Sequence, residues 1–139
     1  MSKLNKMGKS GRKRTGPELT EAEWTIMKVI WENECCAAGT VQEALAESKK
    51  WAYSTIKTTM DRMVRKGFLE MERIRSLQLF RSCISEVDAK RGEFYRMLKR
   101  AFDGALTPMM QFLIEHEKLS KYEIAKLRRI VSEGKRKAQ

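Results

Sequence analysis

The side chains best placed for chemistry in this sequence are hydrogen-bond donors between residues 54 and 65. Ser54, Lys57, Thr58 and Arg62 recur at the spacing that puts side chains on one face of a helix. Hydroxyl, ammonium and guanidinium groups arranged in this way can bind the base edges and phosphates of DNA. A polar face is also usual wherever a helix faces solvent, so this face alone does not decide the function.

Further residues extend this predicted DNA contact at two places. Tyr53 precedes the helix and can offer its hydroxyl to a phosphate or its ring to a thymine methyl group. Arg73 and Arg75 lie at the tip of a predicted hairpin, from which they can reach backbone phosphate or the adjacent minor groove. The complete set of predicted DNA-binding residues is Tyr53, Ser54, Thr55, Lys57, Thr58, Arg62, Arg73 and Arg75.

Catalytic and metal-binding chemistry have little support in the sequence. We find no nucleophile–base pair, phosphate-binding loop or cluster of carboxylates, so we expect no enzyme, no cofactor and no small-molecule substrate. Cys35 and Cys36 are interpreted either as small apolar residues of a strand or as a redox or soft-metal sensor. Four metal ligands would require Cys83 and His116 to converge on this pair, and we expect no metal site.

The charge balance indicates a polyanionic partner. Among 139 residues, 29 Lys and Arg stand against 18 Asp and Glu, which gives a net charge of +11. DNA, RNA and an acidic membrane surface would all attract such a chain. The N-terminus lacks the apolar stretch of a secretory signal, and the three cysteines form no disulfide framework. These features favour a cytoplasmic protein.

Residues 1–18 are predicted to form a flexible basic arm. Six lysine and arginine residues precede the first acidic residue, Glu18. Gly16 and Pro17, together with two earlier glycines, disfavour a helix. The arm either solubilises the chain or contacts DNA phosphates or the minor groove.

Residues 19–84 are predicted to form a compact domain that begins with a helix and a short strand. Thr20 and Glu23 have the spacing of a capping box, in which each side chain satisfies a free backbone N–H at the helix start. An apolar stripe follows at helical spacing, so helix 1 is expected at about residues 20–32. The apolar residues 35–38 are typical of a short strand.

Two further helices are predicted in the same domain. Thr40 and Glu43 form a second capping box, which predicts that helix 2 begins there. Helix 3 is expected from Ser54 to Lys66, and Gly67 is placed to end it in a left-handed conformation. The buried face of helix 3 is predicted to consist of Ile56, Met60, Met63 and Val64.

Two strand-like runs follow helix 3, at residues 68–73 and 77–83, and Leu77 and Leu79 alternate in the second. Residues 74–76 are expected to form the turn between them. The order helix, strand, helix, helix, hairpin is typical of a winged helix-turn-helix, in which the third helix enters the major groove. The expected fold class is therefore mainly α with a small β-hairpin: a winged helix-turn-helix followed by a helical dimerisation arm.

The remainder of the chain is predicted to be helical. Ser85 can cap a long helix, and Gly92 inside this helix is expected to lower its stability slightly. Thr107 and Pro108 predict that a new helix begins there, with the threonine as cap and the proline in the first turn. A third capping box opens at Ser120 and predicts the start of a last helix.

Residues 85–139 carry more apolar surface than a monomer usually exposes, which predicts a dimerisation arm. The alternative is that these helices fold back on the winged helix. A dimer with two-fold symmetry can bind the two half-sites of a palindrome, and doubling the contacts strengthens binding. We therefore favour a homodimer on double-stranded DNA. The predicted dimerisation residues are Phe102, Leu106, Met109, Phe112, Leu113, Leu127, Ile130 and Val131.

Three motifs carry a resemblance to a known family. They are LTEAEW at residues 19–24 with Trp31, STIKTTMDRM at residues 54–63 leading into RKG, and EIAKLRRI at residues 123–130. In this order they resemble the penicillinase-repressor family, which also includes methicillin-resistance and copper-responsive repressors. The resemblance covers about residues 18–134. It implies a homodimeric winged-helix repressor that binds a palindromic operator and shuts off transcription.

The resemblance also implies how repression is relieved. In the family the signal comes from a membrane sensor-protease that leads to cleavage of the repressor, or from a metal in the copper-responsive branch. No cysteine follows Cys83, so the C-terminal cysteine cluster of the copper branch is absent. Cleavage in the penicillinase branch falls at an Asn-Phe pair, and the corresponding residues here, Gln111-Phe112 or Phe112-Leu113, have no Asn. The hairpin turn also lacks the glycine of close relatives.

Two other functions stay open at this point. The charge alone suggests a nonspecific RNA- or ribosome-associated protein, and residues 112–114 suggest the hydrophobic surface of a protein-interaction adaptor. Specific readout predicts that Lys57→Ala or Arg62→Ala changes discrimination among DNA sequences. Nonspecific binding predicts a uniform loss across sequences, and an adaptor predicts no salt-dependent binding of nucleic acid.

Overall fold

The structure is a computed structural model that describes the backbone of residues 16–138. Most of the predicted basic arm, residues 1–15, lies outside the described residues. The chain divides into two compact units, with the boundary between Arg96 and Met97. In chain order the elements are α1 (Glu21–Asn33), β1 (Cys35–Cys36), α2 (Ala38–Ala44), α3 (Tyr53–Lys66), β2 (Leu69–Ile74), β3 (Leu77–Ser82), α4 (Glu86–Phe102), α5 (Leu106–His116) and α6 (Lys121–Ala138).

The first unit has the winged-helix architecture that the order of elements predicts. Helices α1, α2 and α3 pack around a common core, and the three strands form an antiparallel sheet in the order β1-β3-β2. The fold class is therefore confirmed as mainly α with a small sheet. No helix in the described part of the chain is long and apolar enough to cross a membrane.

Helix α1 begins where its capping box predicts. The Thr20 hydroxyl accepts from the Glu23 N–H at 3.1 Å, and a Glu23 carboxylate oxygen accepts from the Thr20 N–H at 2.8 Å. The apolar stripe that follows is directed inward, and Ile26, Met27 and Ile30 are fully buried. The sequence pattern thus determined both the start and the buried face of this helix.

The predicted start of helix 2 at Thr40 is wrong. Helix α2 begins two residues earlier, at Ala38, with Ala37 as N-cap and no side-chain cap. The Thr40 N–H instead donates to the Ala37 carbonyl at 3.0 Å, as a residue inside the first turn does. Ala38 and Val41 are buried in the core, so burial of these two residues determined the helix start, and the capping spacing did not.

The hairpin forms as predicted, but the residue that anchors it was missed. Strands β2 and β3 pair from Leu69–Ser82 to Ile74–Leu77, which leaves a two-residue turn. The buried residue of β3 is Phe80, whereas Leu77 is half exposed. The register places Phe80 opposite Met71 on β2 and opposite Cys36 on β1, so the central strand packs into the core through Phe80.

Two of the three predicted helix starts after the hairpin are correct. The Ser85 hydroxyl accepts from the Asp88 N–H at 3.0 Å at the start of α4, and Ser120 forms its capping box with Glu123. The predicted Thr107 cap is wrong, because α5 begins at Leu106 and Thr107 lies inside its first turn. The proline that follows is tolerated there, since first-turn N–H groups have no partner within the helix.

The second unit consists of the end of α4 with α5 and α6. No residue of α5 is buried, and the described side chains of α6, up to Gly134, are all exposed. Aromatic contacts connect some of the side chains. The Phe112 ring lies 5.8 Å from the Phe102 ring and 4.7 Å from the imidazole of His116.

Candidate DNA-binding surface

Helix α3 divides into a buried face and an exposed face. Ile56, Met60 and Met63 are fully buried, as predicted, and the helix packs against α1, α2 and β2 through them. Ser54 and Thr58 are exposed on the other side, where their hydroxyls face solvent. The apolar contacts hold the helix rigidly while its polar side chains stay accessible.

The N-terminus of α3 differs from the capped start of α1. Its N-cap residue is Ala52, which offers no side-chain hydrogen bond, and no acidic residue lies in its first turn. The first N–H groups and the positive end of the helix dipole are therefore not neutralised by an acid. Tyr53 lies here with 49% of its surface exposed, and Ser54 and Thr55 follow, both exposed. An anion such as a phosphate is favoured in this position.

An ion pair lies in the middle of the exposed face. Lys57 Nζ donates to both carboxylate oxygens of Asp61, at 2.8 and 3.0 Å. Both side chains are partly exposed, so the pair is reachable from solvent. The predicted set of DNA-binding residues includes Lys57 but not Asp61, although the spacing of four residues between them indicates an ion pair on a helix. Asp61 is the acidic residue on this face and accepts hydrogen bonds only.

Three arginines of the predicted set carry charge that the domain does not neutralise. Arg62, Arg73 and Arg75 are exposed, and none has a carboxylate within ion-pair distance in the described part of the chain. Arg62 extends the exposed face of α3, whereas Arg73 and Arg75 lie at the hairpin tip. Arg75 has a φ of +59°, which places it in the left-handed conformation that a tight turn without glycine requires.

A second ion pair holds the C-terminal end of α3 against α1. Lys66 Nζ lies 2.6 Å from a carboxylate oxygen of Glu23, whose side chain is 2% exposed. Burial raises the pKa of Glu23, but the hydrogen bonds from Lys66 and Thr20 and the Lys66 charge lower it further, so the net shift is downward. Gly67 ends the helix in the predicted left-handed conformation. The C-terminal end of α3 is therefore held by the ion pair with Glu23 and ended by Gly67, whereas its N-terminus has no side-chain cap.

The cysteines lie in and beside the sheet. Cys36 is buried, and Cys35 and Cys83 are partly buried, all as free thiols. Burial, followed by the neighbouring Cys35, raises the pKa of Cys36; burial, followed by the charge of Glu70, raises the pKa of Cys83. Thiols with a raised pKa are poor nucleophiles and metal ligands at neutral pH, which favours the interpretation of Cys36 as a core residue. Among the described residues no group of three potential ligands could hold a metal ion.

The predicted dimerisation residues are all in the second unit. Leu106, Phe112, Ile130 and Val131 are each at least half exposed, and Leu127 is 37% exposed. Phe102, Met109 and Leu113 are partly buried. Helices α5 and α6 enclose an open apolar groove of about 880 Å³, lined by residues that include Leu113, Ile114, Ile124, Leu127 and Val131.

Comparison with known proteins gives a consistent result. Residues 19–133 match the model of the penicillinase repressor family. The chain is 28% identical over 115 residues to the methicillin resistance regulatory protein MecI of Staphylococcus aureus strain N315, covering 83% of this chain and 94% of that protein. It is 29% identical over 119 residues to the penicillinase repressor of Bacillus licheniformis, with coverage of 86% and 93%.

Similar solved structures include the Bacillus licheniformis BlaI monomeric form in complex with the blaP half-operator. That structure has a TM-score of 0.46 and 29% identity, and covers 52% of this chain and 88% of the other. The family model, by contrast, spans both the winged helix and most of the helical arm. The chain therefore belongs to the penicillinase repressor family.

Proposed function

We propose that this protein is a sequence-specific transcriptional repressor that acts as a homodimer on a palindromic operator. Its relatives are named as a penicillinase repressor and a methicillin resistance regulatory protein. A solved relative is described in complex with a half-operator, which supports DNA as the partner of this chain also.

The observation that carries the proposal is the division of α3 into two faces. Its apolar side chains are fully buried, whereas Ser54, Thr58 and Arg62 on the opposite side are exposed. A helix with this division fits the major groove, which is about 12 Å wide and presents donors and acceptors of each base pair. In helix-turn-helix proteins base edges are contacted from the N-terminal part of the recognition helix, and Lys57 and Thr58 lie in the first two turns of α3.

The predicted residues take different roles in this complex. Tyr53, Ser54 and Thr55 lie at the uncapped N-terminus of α3, where phosphate oxygens are favoured. Lys57, Thr58 and Arg62 lie along the exposed face and supply donors to base edges or adjacent phosphates. Arg73 and Arg75 at the hairpin tip are available for phosphate or the adjacent minor groove.

The homodimer is supported by the apolar surface of the second unit. Ile114, Ile130 and Val131 are each more than half exposed, and exposed apolar clusters of this kind mark interaction sites. A symmetric dimer places two recognition helices on two half-sites, which explains why the operator is expected to be a palindrome.

Relief of repression is a finer part of the proposal. Gln111 and Phe112 are exposed, but they lie within α5, and a protease that cleaves there must first open the helix. That a membrane sensor-protease acts on this chain stays a prediction. Cleavage of α5 would separate the apolar residues of the arm and weaken the dimer.

The proposal is tested by selecting binding sites from a random DNA duplex pool at near-physiological salt. We expect enrichment of a palindrome whose half-sites lie about one helical turn apart. Lys57→Ala and Arg62→Ala should each weaken binding by about 1–3 kcal/mol at one base position when a base contact is lost. Lys28→Ala, which removes an exposed charge from α1, is the matched control.

The other outcomes identify the other functions. Salt-sensitive binding without an enriched sequence would identify a nonspecific nucleic-acid-binding protein. No salt-dependent binding at all would favour the protein-interaction adaptor.

A further inference from the structure

Asp61 lies on the side of α3 that faces away from the core. The fully buried residues of the helix are Ile56, Met60 and Met63. Because an α-helix has 3.6 residues per turn, the positions opposite these three recur at i, i+4, i+7 and i+11. They are Ser54, Thr58, Asp61 and Arg65. Asp61, with 42% of its side chain exposed, therefore lies near the centre of the exposed face, where a helix in the major groove comes closest to the bases.

The ion pair with Lys57 leaves hydrogen-bonding capacity on both side chains. Lys57 Nζ contacts the two Asp61 carboxylate oxygens at 2.8 and 3.0 Å. An ammonium group has three donors, so one N–H of Lys57 stays available. A carboxylate has about four lone-pair sites, so both Asp61 oxygens can accept a second hydrogen bond. The pair therefore presents a donor and an acceptor side by side on a partly exposed surface.

A side chain that only accepts hydrogen bonds limits the bases that it can contact. Most groups on the floor of the major groove are acceptors, namely N7 and O6 of guanine, N7 of adenine and O4 of thymine. The donors are the exocyclic amino groups, N4 of cytosine and N6 of adenine. A carboxylate that leaves water without meeting a donor loses its hydrogen bonds to water, and the acceptors repel its charge. A carboxylate in this position thus favours a sequence that places an amino group beside it.

We propose that Asp61 is a specificity-determining residue that accepts a hydrogen bond from the exocyclic amino group of one base in each half-site. The inference rests on the proposed function and assigns one base contact within it. In every base pair an acceptor lies next to the amino group, on the same base or on its partner. Lys57, held beside the carboxylate, donates its remaining N–H to that acceptor, so the ion pair contacts both groups as a unit.

The effect of Asp61 is on discrimination more than on affinity. Its negative charge opposes the attraction between phosphates and cations such as Lys57 and Arg62, and this opposition acts on every DNA sequence. At the operator the hydrogen bond from the amino group offsets the opposition, whereas at other sequences nothing offsets it. Removal of the carboxylate should therefore lower the ratio of operator affinity to random-duplex affinity by about tenfold.

The first experiment selects binding sites from one random duplex pool with the full-length wild type, Asp61→Asn and Asp61→Ala. The wild type should enrich a palindrome in which one position of each half-site requires cytosine or adenine, and the enriched base identifies which amino group is bound. Asparagine adds a donor and alanine removes the acceptor, so both variants should accept other bases at that position and keep the rest of the sequence.

Glu86→Gln on α4 is the matched control. Glu86 pairs with Lys90 four residues on, at 3.0 Å, and its side chain is 46% exposed, so the variant removes the same charge and the same kind of ion pair from another helix. It should leave the selected sequence unchanged at every position.

The second experiment deletes the amino group alone. At the enriched position, cytosine is replaced by its pyrimidinone analogue or adenine by unsubstituted purine, both of which lack the exocyclic amine. The affinity of the wild type should fall by about fivefold to thirtyfold, and that of Asp61→Ala by less than about twofold. The analogue also weakens the base pair itself, but it does so for both proteins, so the difference between them belongs to Asp61.

Three outcomes would overturn the inference. Both variants could select the wild-type sequence at every position, loss of the amino group could weaken the wild type and Asp61→Ala equally, or Glu86→Gln could relax the same position. A wild type that enriches no sequence would instead refute the proposed function, and the inference with it.

Discussion

The winged helix and the arm of α5 and α6 use their apolar residues in opposite ways. In the first unit, Ile26, Met60 and Phe80 are completely buried by the domain's own helices and strands. In the arm, α5 has no buried residue, and Ile114, Ile130 and Val131 are more than half exposed. Because burial of apolar surface contributes about 25 cal/mol per Å², the arm leaves substantial stabilisation available to a partner.

This difference indicates that the proposed DNA contact and the proposed assembly depend on separate parts of the sequence. The face of α3 is positioned by a core that the domain completes by itself. The apolar surface of the arm requires a second surface, which we propose to be the arm of another copy. Substitutions in the two regions should therefore have separable effects.

The largest effect is expected from Ile130→Asp, which places a charge in the proposed dimer interface. Ile130 is 55% exposed, so the folded unit should tolerate the change, but association should be lost. A monomer contacts one half-site, and the affinity for a full operator should fall by about 10²-fold to 10⁴-fold. Sedimentation and operator titration measure the two effects. Arg129→Asp, outside the apolar stripe, is the control, and a variant that stays dimeric would contradict the assignment.

A smaller effect is expected from shortening a core residue of α3. Ile56→Ala leaves a cavity under α3 and should lower the free energy of unfolding by about 2–5 kcal/mol in urea titrations. Ile114→Ala in the arm should change it by less than about 0.5 kcal/mol at concentrations where the protein is monomeric. Equal losses of unfolding free energy in the two variants would contradict the view that the first unit buries its apolar residues and the arm of α5 and α6 leaves them exposed.

Glu23→Gln tests the ion pair that holds α3 to α1. The amide has one acceptor oxygen where the carboxylate has two, for Thr20 and Lys66, and it removes the negative charge that pairs with Lys66. We therefore expect a loss of about 1–3 kcal/mol of unfolding free energy at neutral pH. The folded-state pKa of Glu23 is lowered, so its stabilisation is present above the ordinary carboxyl pKa and is lost as pH falls through the folded-state value. Urea titrations between neutral and acidic pH should show this loss in the wild type and not in the variant.

The smallest effect is expected from Asp61→Asn on the exposed face of α3. The Lys57–Asp61 pair is partly exposed, so its loss should cost only about 0.3–0.5 kcal/mol of stability. The variant frees Lys57 and removes a charge that repels phosphate, so binding to a random DNA duplex should tighten and its salt slope should increase by about one. Unchanged binding would place Asp61 outside the DNA contact.

Many of the helix boundaries and faces could be predicted from local patterns. The buried face of α3 follows from helical spacing, and the capping boxes at Thr20 and Ser120 follow from short hydrogen bonds between residues three apart. The same kind of prediction was wrong at Thr40, which has capping-box spacing, and at Thr107, which precedes a proline. Both helices begin before these residues, at Ala38 and at Leu106. At Thr40 a local hydrogen bond of about 1 kcal/mol does not override the burial of Ala38 and Val41. The early start of α5 has no such explanation, because no residue of that helix is buried.

The predicted DNA-binding residues and the division into arm, winged helix and dimerisation domain stay predictions. The structure places the α3 residues on one exposed side and the two arginines at the hairpin tip. Two further features of α3 come from the structure: the ion pair of Lys57 with Asp61, and the N-terminus that no side chain caps. Both could have been inferred from the sequence, from the spacing of the two charged residues and from the alanine at position 52.

What the sequence determined by itself is the set of properties that depend on neighbours along the chain: the helices, the polar and apolar faces of α3, the left-handed end at Gly67 and the positive charge. The tertiary structure alone decided the contacts between distant segments. Phe80 is buried because β3 lies between β1 and β2, and Gly92 lies in close contact with the backbone of Gly16, which packs on α4. Local propensities are encoded within a few residues, whereas these contacts depend on where the completed core brings remote backbone together.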